Sequence, residues 1–141
     1  TLDACDIPVP ADMQGRSIMP WVRRETTTPS GKDIFVQISE SQVGRAIRTD
    51  RWKYSVEALD KDPIQDARSP EYTETFLYDL EHDPYELHNL IHSKAHEKVC
   101  EVLAEKLKRC MTEAGEPAPV IHPASKENMG QLLVFEGEEN L

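Results

Sequence analysis

The amino-acid sequence predicts an α+β fold: a four-stranded antiparallel β-sheet packed against a long C-terminal α-helix, with an extended N-terminal segment and an acidic tail. Three observations carry this prediction. Short runs of alternating apolar and polar residues recur between residues 33 and 80. Three- and four-residue apolar spacing replaces them between residues 95 and 110. All ten prolines fall outside these runs, where a missing backbone donor does no harm. At 141 residues the chain is the size of one domain, long enough to bury roughly two-thirds of its unfolded surface.

The elements follow in order. The first residue is Thr1, and Thr1-Leu2-Asp3-Ala4-Cys5 reads as the end of a helix already under way, so the chain is expected to begin inside a longer protein. Ile7-Pro8-Val9-Pro10 is held extended by its prolines. Residues 12–20 read as irregular, with Gly15 at a turn, and residues 21–32 as a polar stretch with Pro29-Ser30-Gly31 as a loop. Residues 33–40 form the first strand, with Ile34, Val36 and Ile38 on one face. Residues 45–49 and 52–57 make a hairpin around Thr49-Asp50-Arg51-Trp52, placing Trp52, Tyr54 and Val56 together. Residues 59–72, with Pro63 and Pro70, are a loop. Residues 73–80 are the fourth strand, Phe76 and Tyr78 on one side and Leu77 on the other.

Helical signals come next. Asp83-Pro84-Tyr85-Glu86 combines a capping acceptor, proline at the first helical position and glutamate at the third, predicting a short helix over 85–91. Ser93 is a second N-cap. Beyond it Ala95, Val99, Val102, Leu103, Leu107 and Cys110 define the apolar face of the long helix, which Gly115, Pro117 and Pro119 terminate. The run Leu132-Leu133-Val134-Phe135 is expected to add a strand or a docking segment.

Sixteen basic against 26 acidic residues give a net charge of −10, the wrong sign for nucleic acid, which is not expected as a partner. Nor is a membrane, because no apolar run approaches the ~18 residues a span requires. Six acids and one base from Glu113 to Leu141 place half of that charge in a solvated tail. Cys5, Cys100 and Cys110 are expected as reduced thiols. On one helix Cys100 and Cys110 would lie about 15 Å apart, far beyond the ~4.4–6.8 Å of a disulfide.

His88, His92 and His96 are spaced i, i+4, i+8, and on one continuous helix would form a line rather than converge on one ion, so no metal site is expected. Glu57 with Asp60, and Asp79 with Glu81, read as strand ends and turns. The chain has no glycine-rich phosphate loop, no G-x-S-x-G and no C-x-x-C, and no catalytic residue is assigned.

Three stretches resemble the sulfatases. Residues 6–20, Asp6-Ile7-Pro8-Val9-Pro10-Ala11-Asp12-Met13-Gln14-Gly15-Arg16-Ser17-Ile18-Met19-Pro20, are similar to the segment after the last helix of their catalytic domain. Gly44-Arg45-Ala46-Ile47-Arg48-Thr49-Asp50-Arg51-Trp52-Lys53-Tyr54 resembles the family's R-x-(V/I)-R-T-x-x-x-K-Y hairpin. Leu77-Tyr78-Asp79-Leu80-Glu81-His82-Asp83-Pro84-Tyr85-Glu86-Leu87-His88-Asn89-Leu90 resembles its L-Y-D-L-x-x-D-P-x-E-x-x-N-L signature. The three occur in the family's order.

The resemblance implies the C-terminal domain of an enzyme of the alkaline-phosphatase-like superfamily: residues 1–32 a linker from a catalytic domain, 33–115 the sheet and helix, 116–141 the acidic tail. The parent would hydrolyse sulfate monoesters with a formylglycine made from a C/S-x-P-x-R motif and with calcium against the sulfate. Cys5, Cys100 and Cys110 all lack that context, so no formylglycine or calcium is expected within residues 1–141, and the chain alone is expected to be inactive. The implied partners are its own N-terminal catalytic domain and, through the parent, a sulfated small molecule or glycan. Asp83, Pro84, Glu86 and Asn89 are assigned structural roles. Gln42, Arg45 and Arg48 are expected near substrate, since the loop carrying Gln42 and Arg45 joins two strands that the resemblance sets against the catalytic domain. Two other readings stand beside this one: a related phosphonate or phosphodiester hydrolase, and a free-standing protein-interaction module using the tail.

Overall fold

In the computed structural model of the chain, residues 2–13, 15–27 and 33–124 are described. They fall into two units, Thr1–Lys32 and Asp33–Leu141. The first unit holds a 3-10 turn, Asp3–Cys5, and a four-residue helix, α1, Met19–Val22, with Pro20 in its first turn. Neither buries a residue, and Ile7, Val9, Met13, Ile18, Trp21 and Val22 are all exposed.

In the second unit the alternating runs become β1 (Ile34–Ile38), β2 (Gly44–Arg48), β3 (Trp52–Glu57) and β4 (Glu71–Asp79), an antiparallel meander in chain order. Thr49 closes the β2–β3 hairpin: its backbone N–H donates to the Trp52 carbonyl at 2.8 Å, and its hydroxyl accepts from the Trp52 N–H at 2.8 Å. Register aligns Phe35, Ile47, Tyr54 and Leu77 across the four strands. The last three are fully buried, and this row lies at the heart of the core with α2 (Glu97–Glu113).

The helix buries Cys100, Leu103, Ala104, Leu107 and Met111. The expected face shares only Leu103 and Leu107 with it. Val99 and Cys110 sit at its margin and Val102 is 60% exposed. The 100-103-104-107-111 spacing makes one narrow stripe, and small Ala104 lets the helix lie close to its neighbours.

A fifth strand, β5 (Val120–His122), extends the sheet beside β4. It pairs parallel to β4, Glu71 to Val120 and Thr73 to His122. The intervening α2 supplies the crossover that a parallel pair requires. Among the described residues the sheet therefore has five strands where the sequence predicts four. The Leu132–Phe135 run lies outside the described residues.

The predicted helix over 85–91 does not form; the segment is a series of turns. A capping box needs the Glu86 carboxylate to reach back to its own turn. Here Glu86 has φ 57, in the left-handed region, and its carboxylate pairs with Lys53 on β3. The Asp83 carboxylate accepts from the His88 N–H at 2.8 Å, spanning a wide turn. Asn89, 0% exposed, then binds the segment to β4. Its Oδ1 accepts from the Leu77 and Ile91 N–H groups at 3.0 and 3.1 Å, and its Nδ2 donates to the Thr75 carbonyl at 2.9 Å. Two tertiary bonds to β4 and one local bond at a single side chain outweigh a local capping preference. With no helix there, the three histidines do not line up. His88 lies 3.6 Å from Asp83, while His96, in the Lys94–His96 3-10 turn, meets the Ser93 hydroxyl at 2.9 Å and the edge of Trp52.

Candidate functional site

The face of the sheet opposite the Ile47–Tyr54–Leu77 row follows from register. Its cross-strand rows are Ile34–Arg48–Lys53–Tyr78 and Val36–Ala46–Ser55–Phe76, with Ile38 opposite Gly44. An antiparallel sheet wetted on one side normally carries polar residues there. On β1 the outward residues are instead Ile34, Val36 and Ile38, exposed by 55%, 39% and 39%. With Ala46 and Phe76 they line a groove of about 480 Å³.

Charge gathers at one end of the groove. Lys53 pairs with Glu86 and lies 6.0 Å from the Tyr78 ring centre. Burial, reinforced by the Glu86 and Asp83 charges, pushes the Tyr78 phenol up to about 12, so it stays protonated. Arg48, next to Lys53 in register, is exposed and makes no ion pair among the described residues. At the other end half-buried Gln42 lies across Gly44, where an added Cβ would stand 2.9 Å from the amide nitrogen. Gln42 and Arg48 thus both border the groove.

Arg45, expected near substrate, is instead enclosed within the fold. It is 4% exposed. Its Nε donates to Glu116 at 2.8 Å, its Nη1 to the Gly44 and Ile38 carbonyls at 2.7 and 3.3 Å, and its Nη2 to the Ala67 carbonyl at 2.9 Å. Gln37 donates to the same Glu116 carboxylate, and the Tyr72 ring lies 5.7 Å from the guanidinium carbon. Arg45 is a buried structural cation. The sequence carried no cue to this, because its partner is 71 residues away.

Asp79, Glu81 and His82 are the one group of three possible metal ligands among the described residues. The Asp79 carboxylate, however, already holds Arg51 in a two-pronged pair, Nε at 3.0 Å and Nη2 at 2.6 Å. That guanidinium, helped by His82 at 3.0 Å, keeps the Asp79 carboxyl below the usual carboxylate range. Arg51 also stacks on Trp52, 4.7 Å from its ring, and reaches Glu81 at 3.5 Å. A cation is therefore built in, and the group does not suit calcium, which takes six to eight oxygen ligands. The thiols offer no nucleophile either: burial pushes Cys100 up to about 12 and raises Cys110, while Cys5 is exposed and lacks the C-x-P-x-R context.

A family model described as N-sulphoglucosamine sulphohydrolase, C-terminal, matches residues 1–113. Among solved structures, the chain is similar to a protein determined in complex with its substrate D-glucosamine-2-N,6-O-disulfate: 25% identity, TM-score 0.66, over 89% of this chain and 24% of that one. It shares its fold with a protein described as a sulfatase from Bacteroides thetaiotaomicron, at 23% identity and TM-score 0.64, over 82% of this chain and 23% of that one. It also shares it with one described as a sulfatase from Bacteroides fragilis, at 20% identity and TM-score 0.56, over 77% and 22%. The chain spans about a quarter of the length of the solved structures it matches. No curated protein matches it.

Proposed function

Because the chain belongs to the family described as N-sulphoglucosamine sulphohydrolase, C-terminal, we propose that it completes a sulfatase whose catalytic domain hydrolyses sulfate monoesters. The chain itself caps that domain and borders the substrate cleft. One observation carries this reading: the apolar surface that its own fold leaves uncovered. Nine of the fifteen large exposed apolar residues among those described lie between Ile7 and Ile38. Six belong to the first unit, and the other three are the outward face of β1 in the second. Exposed apolar surface of this kind on each unit marks an interface. The occupant it fits is a catalytic domain, since the similar structures are about four times as long as this chain.

Formylglycine and calcium would then belong to the catalytic domain. No cysteine or serine among these 141 residues has the C/S-x-P-x-R context, and the Asp79 group is already neutralised by Arg51. The substrate class is a sulfated sugar, on the likeness to the protein solved with a disulfated glucosamine.

The test compares two proteins on aryl sulfate, aryl phosphonate and phosphodiester substrates: the whole protein and residues 1–141 alone. Only the whole protein turns over, with sulfate preferred. Its Val36→Asp variant, with a charge in the covered face, loses stability and activity together. Turnover by residues 1–141, or a preference for phosphonate or phosphodiester, overturns the reading.

A further inference from the structure

We infer that the notch between α2 and the β2–β3 hairpin is the docking site of this chain's own C-terminal segment. Leu132-Leu133-Val134-Phe135 fills the apolar floor of the notch, and the acids that follow meet the lysines of its rim. The hollow has a volume of about 300 Å³. Buried Leu103, half-buried Trp52 and Val99, and exposed Val102 form the floor, with Lys98 and Lys106 on the rim. It lies on the helix side of the sheet, a different surface from the outward face of β1 that the catalytic domain covers.

The notch exists because α2 carries more apolar surface than its own core uses. The buried stripe is Cys100, Leu103, Ala104, Leu107 and Met111, and Val102 lies outside it at 60% exposure. A single exposed valine would mean little. This one stands in an apolar hollow between two lysines, since Lys98, Val102 and Lys106 are spaced i, i+4, i+8 along one flank of the helix. Lys98 is exposed and makes no ion pair among the described residues. Lys106 holds Asp33 at 2.9 Å, a surface pair that contributes little and can be shared. Glu97, Glu101 and Glu105 have the same spacing on the other flank, where with Glu74 they line the groove beside β5. The helix thus has a basic flank and an acidic one.

Charge and length select the occupant. Residues 125–141 follow the last described residue, and their one run of large apolar residues is 132–135. Glu136, Glu138 and Glu139 come directly after it, with no base beyond them. An apolar run followed by acids complements an apolar floor edged with lysines. The groove beside β5 is nearer but repels such a segment. Ala124 is held on that acidic side, its N–H donating to the Glu74 carboxylate at 3.3 Å, and the one base after residue 113, Lys126, comes two positions later. The eight residues from Ala124 to Leu132 reach about 26–29 Å when extended. That is enough to pass a helix about 10–12 Å across with its side chains.

The experiment uses the whole protein and follows chymotrypsin cleavage after Phe135 by mass, each rate set against the free peptide of residues 125–141 with the same sequence. The parent is cleaved about ten-fold more slowly than its peptide, because cleavage tracks the population of the undocked segment. Val102→Asp, at an exposed position, brings the rate to within about two-fold of the peptide while the urea midpoint of the folded unit stays put. Lys98→Glu lowers the protection about three-fold, and adding Glu138→Lys restores it. A benzophenone side chain introduced at Gly137 cross-links to residues 98–106 of the same chain. Equal cleavage of parent and peptide overturns the inference, as does protection that survives both Val102→Asp and Lys98→Glu. A cross-link to a second copy or to the catalytic domain overturns it too. None of these readouts depends on turnover, so the sulfatase reading stands or falls separately.

Discussion

Removing Glu116 should expose how much of this fold hangs on one buried ion pair. The side chains of Arg45 and Glu116 are 3% and 8% exposed, so deleting the acid strands a cation away from water. Breaking a buried pair by removing one partner typically costs about 3–5 kcal/mol. Here the guanidinium keeps three carbonyl acceptors, those of Ile38, Gly44 and Ala67, which places Glu116→Ala near the lower figure. For a unit of about this size a loss near ~3 kcal/mol lowers Tm by roughly 10–15 °C. The assay is urea unfolding of the purified chain followed by far-UV circular dichroism, with m-values checked for constancy. A second variant separates charge from packing. Arg45→Met with Glu116→Leu removes both ions at similar volume and should recover most of the loss, since such replacements are often neutral or stabilising. A Glu116→Ala cost under about 1 kcal/mol, the range of an exposed pair, would refute the buried arrangement.

Two further stability predictions follow from side chains in the family signature. Asn89→Ala leaves the Leu77 and Ile91 N–H groups and the Thr75 carbonyl without their partner, and should cost about 2–4 kcal/mol in the same unfolding assay; a loss within about 0.5 kcal/mol, the usual range of a surface substitution, would contradict the network. The Asp79 carboxyl is held down by Arg51, so its stabilisation is present above the unfolded value near ~4 and is lost as pH falls through the folded value. Urea midpoints measured downward from neutral pH should therefore fall less steeply with acid in Asp79→Asn than in the parent sequence, and parallel curves would refute the assignment.

What the sequence made legible was local. The β2–β3 hairpin needed only Thr49, Trp52 and the alternation on either side, and Thr49 does close it. The long helix was legible in outline but not in rotation, because Val102 and Cys100 sit at equally plausible edges of one stripe and only the packed sheet chooses between them. Strand β5 was hidden: three residues between proline-rich flanks carry little period, and their pairing with β4 depends on where α2 ends. The misread helix over 85–91 shows the same division. Its capping residues are all present, yet Glu86 is claimed by Lys53 and Asn89 by β4, partners 33 and at least 12 residues distant. In the candidate site, Gln42 and Arg48 border the groove, whereas Arg45, expected near substrate with them, is buried against Glu116, a partner 71 residues away that no local pattern reveals.

The residues that carry the family resemblance are largely the ones that hold the fold. Thr49 closes a hairpin, Tyr54 fills the core and bonds Glu74 at 2.9 Å, Asp79 fastens Arg51, and Asn89 sews a loop to β4. None of these groups is free to touch a substrate. The motif therefore reports architecture, and it would look the same whichever ester the catalytic domain cleaves. Differences in substrate among such proteins must enter through surfaces the motif leaves alone. On this chain the exposed surface outside the motif beside the apolar face is the tip of the β1–β2 loop, residues 39–42. Variation confined to residues 39–42 can change that surface without disturbing the Arg45 clamp beneath it, which is the division between rigid scaffold and variable loop that lets one fold serve many ligands.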